Sequence, residues 1–218
     1  IDRSAKVSKQ LLVKNSLKSL TNISKKVRLN SLAKVIAITG SCGKTSLKEL
    51  LGNIFGKISK VSYSPKSYNN KYGVPLSIFN INKYDDFNIF EIGMDKKGEI
   101  DLLSKIIKPD VGVITNISYA HAKNFKNLNQ IANAKSEIIK NINKNGSIVL
   151  NADDKFYKFH RNIALKKKLK IYSFSTNKKT ATVSLISIKK EKSKFKVIMN
   201  IDNQKKYFFI SSNFENNL

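Results

Sequence analysis

The sequence predicts an α/β fold: a mostly parallel sheet carrying a phosphate-binding loop (P-loop), plus a small antiparallel β segment near the C-terminus. Three observations carry this expectation. From residue 35 to about residue 177, short apolar runs bounded by turn residues alternate with stretches of helical periodicity, the pattern of parallel strands covered by helices. The first of these runs, residues 35–39, ends in Gly40-Ser-Cys-Gly43-Lys44-Thr45, a glycine turn that delivers a lysine and a hydroxyl to a helix start. Beyond residue 177 the helical periodicity stops and strand patterns follow one another directly.

Taken in order, the first 34 residues are polar and lysine-rich, with Leu11, Leu12, Leu17, Leu20 and Ile23 at the spacing of an amphipathic helix. That helix has no partner within its own stretch, so residues 1–33 are expected to form a connector into the first strand. Strands are predicted over 35–39, 60–63, 88–92, 111–115, 147–150 and 170–174, and helices over 45–55, 98–107, 128–142 and 154–165. The three closing strands, 182–188, 195–201 and 206–210, are joined by turn-forming residues at 190–194 and 202–205. No internal repeat interrupts this order.

Composition narrows the function classes. A chain of 218 residues is about one and a half domains, and 41% apolar residues suffice for a real core. Cys42 is the only cysteine, which excludes an internal disulfide and a zinc site built from several thiolates. No stretch reaches the ~20 apolar residues of a membrane span, and no signal pattern opens the chain, so a reducing, cytoplasmic setting is expected. The net charge of +26 has the sign of a nucleic-acid binder. Arg3, Arg28 and Arg161 are the only arginines, however, and the lysines are spread along the whole chain. Base and phosphate readout favours the bidentate arginine fork. The charge therefore reads as solvated lysine faces, with neither nucleic acid nor membrane as partner.

The chemistry concentrates at the ends of the predicted strands. Gly40 and Gly43 permit a tight turn whose N–H groups, with those of Ser41, Cys42 and Ser46, can surround phosphate oxygens at a positive helix terminus. Lys44 would reach the β and γ phosphates of a nucleotide, and Thr45 would place its hydroxyl on Mg²⁺. Ile38 stands where the usual G-x-x-x-x-G-K-[ST] spacing has its first glycine. Glu91, closing the strand Phe87-Asn-Ile-Phe-Glu91, is placed to supply the carboxylate that such a metal needs. His121 follows the strand at 111–115 and belongs to the same carboxyl edge of the sheet. His160, in a lysine-rich helix, is expected to be an ordinary surface histidine. Lys135, among the small residues of Ile131-Ala-Asn-Ala-Lys135-Ser-Glu137, is expected to pack closely in a structural role.

Six segments together resemble the Mur ligases, ATP-dependent amide-forming enzymes of peptidoglycan synthesis. They are Ile38-Thr-Gly-Ser-Cys-Gly-Lys-Thr45, Tyr68-Asn-Asn-Lys-Tyr-Gly-Val-Pro-Leu76, Glu91-Ile-Gly-Met-Asp-Lys-Lys-Gly-Glu-Ile100, Thr115-Asn-Ile-Ser-Tyr-Ala-His121, Ala134-Lys-Ser-Glu137 and Leu150-Asn-Ala-Asp-Asp154. The second and third are similar to the class that adds D-alanyl-D-alanine to UDP-N-acetylmuramoyl-tripeptide. The resemblance implies a central ATP-binding domain over residues 34–218. Residues 1–33 would then be the connector from a UDP-sugar-binding domain, and a Rossmann-like ligase domain would follow; neither flanking domain is expected within the chain.

The resemblance also implies roles residue by residue. Lys44 stabilises the transferring phosphoryl group, Thr45 and Glu91 hold one Mg²⁺, and His121 helps to hold a second. Lys135 matches a lysine that family members carbamylate, turning a cation into a metal-binding anion. Asn69 and Asn70 match the block lining the muramoyl-peptide side of the cleft. Asn216 matches an asparagine near adenine, whereas Ser212 stands where the family has histidine. The implied substrates are ATP, UDP-N-acetylmuramoyl-tripeptide and D-alanyl-D-alanine, joined through an acyl phosphate by a monomer. The alternatives are a related ligase of the folylpolyglutamate or cyanophycin synthetase kind, and a basic nucleic-acid-binding domain with a phosphate loop.

Overall fold

The computed structural model describes residues 12–119 and 124–211. The described chain runs α1 (Ser16–Leu29), β1 (Lys34–Thr39), α2 (Lys44–Phe55), β2 (Val61–Tyr63), α3 (Gly73–Ile78), β3 (Phe87–Glu91), α4 (Glu99–Ile107), β4 (Val111–Ile114), α5 (Leu128–Asn141), β5 (Ser147–Asn151), α6 (Tyr157–Lys166), β6 (Lys170–Ser175), β7 (Val183–Glu191), β8 (Lys194–Ile201) and β9 (Gln204–Ser211). Its strands form one sheet in the order β2-β3-β1-β4-β5-β6-β7-β8-β9. Pairing is parallel from β2 through β7 and antiparallel between β7, β8 and β9. The predicted α/β class with its antiparallel C-terminal segment is the observed one.

The central strand β1 is buried on both faces, and the alternation of its side chains explains the layering. Val35 and Ala37 enter a large core with Leu103 and Ile107 of α4, Ile131 and Ile138 of α5, and Val74 and Ile78 of α3. Ile36 and Ile38 point to the opposite face, where Leu47, Leu51 and Phe55 of α2 cover them. From β3, on one side of β1, the chain crosses to β4 on the other. In the parallel register Ile38 stands beside Glu91, and Thr39 beside Ile114. The carboxyl ends of these three strands therefore share one edge at a topological switch point, where open α/β sheets bind ligands.

Four details depart from expectation. The first helix begins at Ser16, capped by Asn15 Oδ1, which accepts from Lys18 N at 2.8 Å. It turns Ser24 and Arg28 inward and leaves Ile23 exposed. Its partners are α3 and α4, and Arg28 donates to the carbonyls of Ile107, Ser31 and Ala33. The inward face thus joins half-buried Leu17, Leu20 and Val27 to the hydrogen-bonded Ser24 and Arg28, and this polar part is what a search for apolar spacing passes over. The six-residue α3, containing Pro75, is too short to show helical periodicity. Helix α6 starts at Tyr157 because Asp154 first closes a turn, its carboxylate accepting from Phe156 N at 2.8 Å. The hairpin loops are two-residue turns; in the second, Asp202 and Asn203 have φ of 49° and 64°, the left-handed pair that matches strand twist. No helix among the described residues is long and apolar enough to cross a membrane.

Candidate functional site

The turn between β1 and α2 is shaped by its two glycines. Gly40 has φ 147°, and a Cβ there would lie 1.8 Å from Thr115 Oγ1, so no larger residue fits against β4. Gly43 is left-handed at φ 79° and caps α2, with open space beside it. The intervening residues are strapped to the segment that follows β4. Ser41 N donates to Asn116 O at 2.9 Å and Cys42 N to Asn116 Oδ1 at 3.0 Å. Thr115 Oγ1 donates to Cys42 O at 2.6 Å. Ser41 Oγ donates to Ser118 O at 3.0 Å and accepts from Ser118 N at 2.8 Å. Asp154 anchors this strap from the β5 side, its carboxylate accepting from Ile117 N at 2.7 Å. Thr115, Asn116, Ser118 and Asp154 thus preorganise the loop. Sequence reasoning assigned them no role, although they lie within segments that carried the resemblance.

Two lysines converge on the loop. Lys44 Nζ donates to the carbonyls of Gly40 at 2.9 Å and Ser41 at 3.2 Å. Lys135 Nζ, from α5, donates to the same Gly40 carbonyl at 2.9 Å. Burial, and secondarily the neighbouring Lys44 charge, push Lys135 down from 10.5 to about 7, against a small opposing pull from Cys42. Lys135 is closely packed, as its small neighbours suggested, yet its amine serves the loop rather than the core alone. Ser46 lies exposed in the first turn of α2.

Glu91 is the carboxylate of the site. It is 1% exposed, and each of its oxygens is held. Thr45 Oγ1 donates to Oε2 at 2.8 Å and Asn69 Nδ2 to Oε1 at 2.7 Å. Asn69 also accepts from Gly93 N through its backbone carbonyl at 2.7 Å. Asn70 Oδ1 accepts from Tyr72 N and Gly73 N, building the entry to α3. A cleft of about 560 Å³ opens beside these groups, with Lys44, Lys135, Asn69, Asn70, Lys96 and Glu99 on its walls.

The glycine cradle and the donor chemistry fit a nucleotide phosphate with a hard divalent cation. No cluster of three or more His, Cys, Asp or Glu able to hold a metal occurs among the described residues. One carboxylate and one hydroxyl are instead the small protein contribution usual for Mg²⁺, which keeps waters and phosphate oxygens as its other ligands.

Other residues fall differently from their sequence reading. His160 is not at the surface: it is 2% exposed, and Nε2 lies 3.1 Å from Ala132 O on α5. Its pKa is lowered chiefly by burial, against the raising effects of that carbonyl and Asp154. A lysine-rich helix still has one face against the core, and His160 occupies it. Glu137, quoted only as part of a motif, accepts from Gly98 N at 2.9 Å and Asp101 N at 3.1 Å, capping α4 from α5. His121 and Asn216 lie outside the described residues.

This loop, clamped carboxylate and paired lysines, set on a parallel sheet with an antiparallel extension, define an α/β domain with a phosphate-binding loop at the switch point of its sheet. Residues 38–214 match the Mur ligase middle domain, and the chain belongs to that family. Among curated relatives it is 36% identical over 190 residues to the UDP-N-acetylmuramoyl-tripeptide--D-alanyl-D-alanine ligase of Buchnera aphidicola, covering 86% of this chain and 41% of that protein. The enzyme of the same name from Rickettsia prowazekii is 40% identical over 184 residues, covering 83% and 40%. A crystal structure of MurF from Acinetobacter baumannii superposes with a TM-score of 0.85 at 30% identity, over 96% of this chain and 46% of that one. MurF from Thermotoga maritima in complex with ADP gives 0.84 at 27% identity, over 96% and 48%. An FPGS structure from L. casei, 13% identical with a TM-score of 0.61, shares the fold. The chain thus spans about two fifths of the length of the curated relatives it matches.

Proposed function

We propose that this chain carries the ATP-binding and acyl-activating centre of a ligase that joins D-alanyl-D-alanine to UDP-N-acetylmuramoyl-tripeptide in peptidoglycan precursor synthesis. The observation that carries the reading is the buried Glu91, clamped by Thr45 and Asn69 next to a glycine loop on which Lys44 and Lys135 converge. In this reading residues 34–218 are the ATP-binding unit and residues 1–33 a connector. The protein works in the cytoplasm as a monomer on small molecules, with neither nucleic acid nor membrane as partner.

The reaction is one of positioning and charge neutralisation. A carboxylate oxygen of the tripeptide attacks the γ-phosphorus of ATP, the bond to the β,γ-bridging oxygen breaks, and ADP leaves. The amine of D-alanyl-D-alanine then attacks the acyl carbon, the bond to phosphate breaks, and phosphate and a proton are released. Asn116 takes the N–H groups of Ser41 and Cys42, contrary to the expectation that they surround phosphate. The N–H groups from Gly43 to Ser46 at the start of α2 are therefore the ones that meet the polyphosphate, and Lys44 neutralises charge on the transferring group. Thr45 and Glu91 would hold Mg²⁺, and His121 would help to hold a second ion; when bound, Mg²⁺ would supply charge neutralisation. Asn69 and Asn70 border the muramoyl-peptide side, and Asn216 serves the adenine.

Lys135 suits carbamylation. An amine held at about 7 is substantially neutral at physiological pH, and the neutral nitrogen is the form that adds to CO₂, losing a proton to give an anionic carbamate beside Lys44.

Calorimetric titration with a non-hydrolysable ATP analogue, with and without Mg²⁺ and at two salt concentrations, tests the reading. Saturable, Mg²⁺-dependent binding that is lost in Lys44→Ala is expected, and in the full-length protein a substrate panel should show turnover of UDP-N-acetylmuramoyl-tripeptide in preference to a folate acceptor. Nucleotide binding that ignores Mg²⁺ and Lys44 would overturn it, as would a preference for nucleic acid with steep salt dependence.

A further inference from the structure

Lys48 is a fully buried lysine outside the cleft. At 0% exposure it heads the fully buried side chains by volume, and it does not line the cavity. It lies one turn beyond Thr45 on α2, so the two side chains leave the helix on the same side. Its Nζ donates to the carbonyl of Lys66 and lies 3.0 Å from Glu49 Oε1. Lys66 holds a left-handed φ of 46°, a conformation that an ordinary residue keeps only when its surroundings impose it.

These contacts close a ring. The segment from Ser64 to Asn69 is joined to β3 at its start, where Ser64 N donates to Ile89 O and Ser64 Oγ accepts from Glu91 N. At its end Asn69 reaches Glu91 and Gly93. Lys48 grips it in the middle, while Thr45, on the same helix, grips Glu91 itself. A fully buried lysine amine facing one carbonyl and a carboxylate that is itself exposed is a poor way to gain stability, since apolar packing of equal volume serves as well or better. A fixed geometry is what such a lysine can supply.

We propose that Lys48 is a positioning residue, locking the segment that carries Asn69 to the phosphate-loop helix so that Asn69 and Thr45 together orient the two oxygens of Glu91. The inference rests on the reading of Thr45 and Glu91 as the Mg²⁺ site. It assigns Lys48 no contact with nucleotide; its influence passes through Asn69.

The test compares ADP binding by calorimetry across a Mg²⁺ series, and the Mn²⁺ EPR spectrum with ADP, in the 218-residue chain and in Lys48→Met, Lys48→Gln, Asn69→Ala and Lys48→Met/Asn69→Ala. Lys48→Met is expected to keep the cooperative thermal unfolding of the parent chain and to raise the Mg²⁺ concentration for half-maximal enhancement about tenfold, the lower end for residues that orient metal ligands. Lys48→Gln, which keeps a donor, recovers part of the loss. Asn69→Ala reproduces the loss, and the double variant adds nothing to it. A folded Lys48→Met whose Mg²⁺ response stays within about twofold of the parent refutes the proposal, as do losses that multiply in the double variant. Unfolding of both Lys48 variants refutes it too, because the side chain then serves the fold. If the parent chain itself shows no Mg²⁺-dependent ADP binding, the metal-site reading falls and takes this inference with it.

Discussion

Replacing Lys135 by methionine should stabilise the fold near neutral pH and remove a pH dependence from it. The native amine is held at about 7 against 10.5 when solvated. At roughly 1.4 kcal/mol per pH unit this gap is on the order of 5 kcal/mol. Above 10.5 the lysine is neutral in both states and costs nothing. Between 10.5 and 7 the unfolded chain binds a proton that the native chain has released, so native stability falls as pH falls. Below 7 both states are charged and the full penalty is present. Methionine has similar length and no charge, but it gives up the 2.9 Å bond to Gly40 O, worth about 1 kcal/mol. The expected gain is therefore about 2–4 kcal/mol at pH 6, shrinking toward zero or reversing by pH 10. Urea unfolding of both proteins in CO₂-free buffer from pH 6 to 10 measures it. Curves that stay parallel, with a constant difference, would refute the placement of a buried, discharged amine beside Lys44.

Three further outcomes follow from the same geometry. Glu91→Ala removes the partner of both Thr45 Oγ1 and Asn69 Nδ2; calorimetry should show nucleotide binding retained while its enhancement by Mg²⁺ is lost, and an unchanged Mg²⁺ response would remove Glu91 from the metal site. Glu137→Ala leaves the N–H groups of Gly98 and Asp101 without their buried acceptor; a loss of about 1–3 kcal/mol in urea unfolding is expected, and a change below about 0.5 kcal/mol would contradict the cap. Gly40→Ala drives a methyl to 1.8 Å from Thr115 Oγ1 at a positive φ, so nucleotide affinity should fall as the loop is displaced; wild-type binding in a folded variant would show that the strap from β4 does not shape the loop.

The family, the strand order along the chain and the loop were legible because each is written in neighbouring residues. The apolar runs of β1, β3 and β4, the glycines flanking Ser41 and Cys42, and the hydroxyl after Lys44 sit within windows of a dozen residues or fewer, the range over which backbone sterics and periodicity act. Glu91 could be anticipated because a parallel register puts strand ends on one edge. What remained illegible depended on which face of a helix meets which partner. The small-residue spacing around Lys135 is equally consistent with plain packing and with a functional amine; only the approach of α5 to β1, which brings Nζ to a carbonyl 95 positions away, separates the two. The same approach buries His160 against α5 and lets Glu137 cap α4. Composition and local pattern thus determined the class of fold and the nucleotide loop. Tertiary structure alone decided the clamp on Glu91, the discharged Lys135 and the buried Lys48, because a hydrogen bond between distant residues exists only once the sheet has brought their elements together.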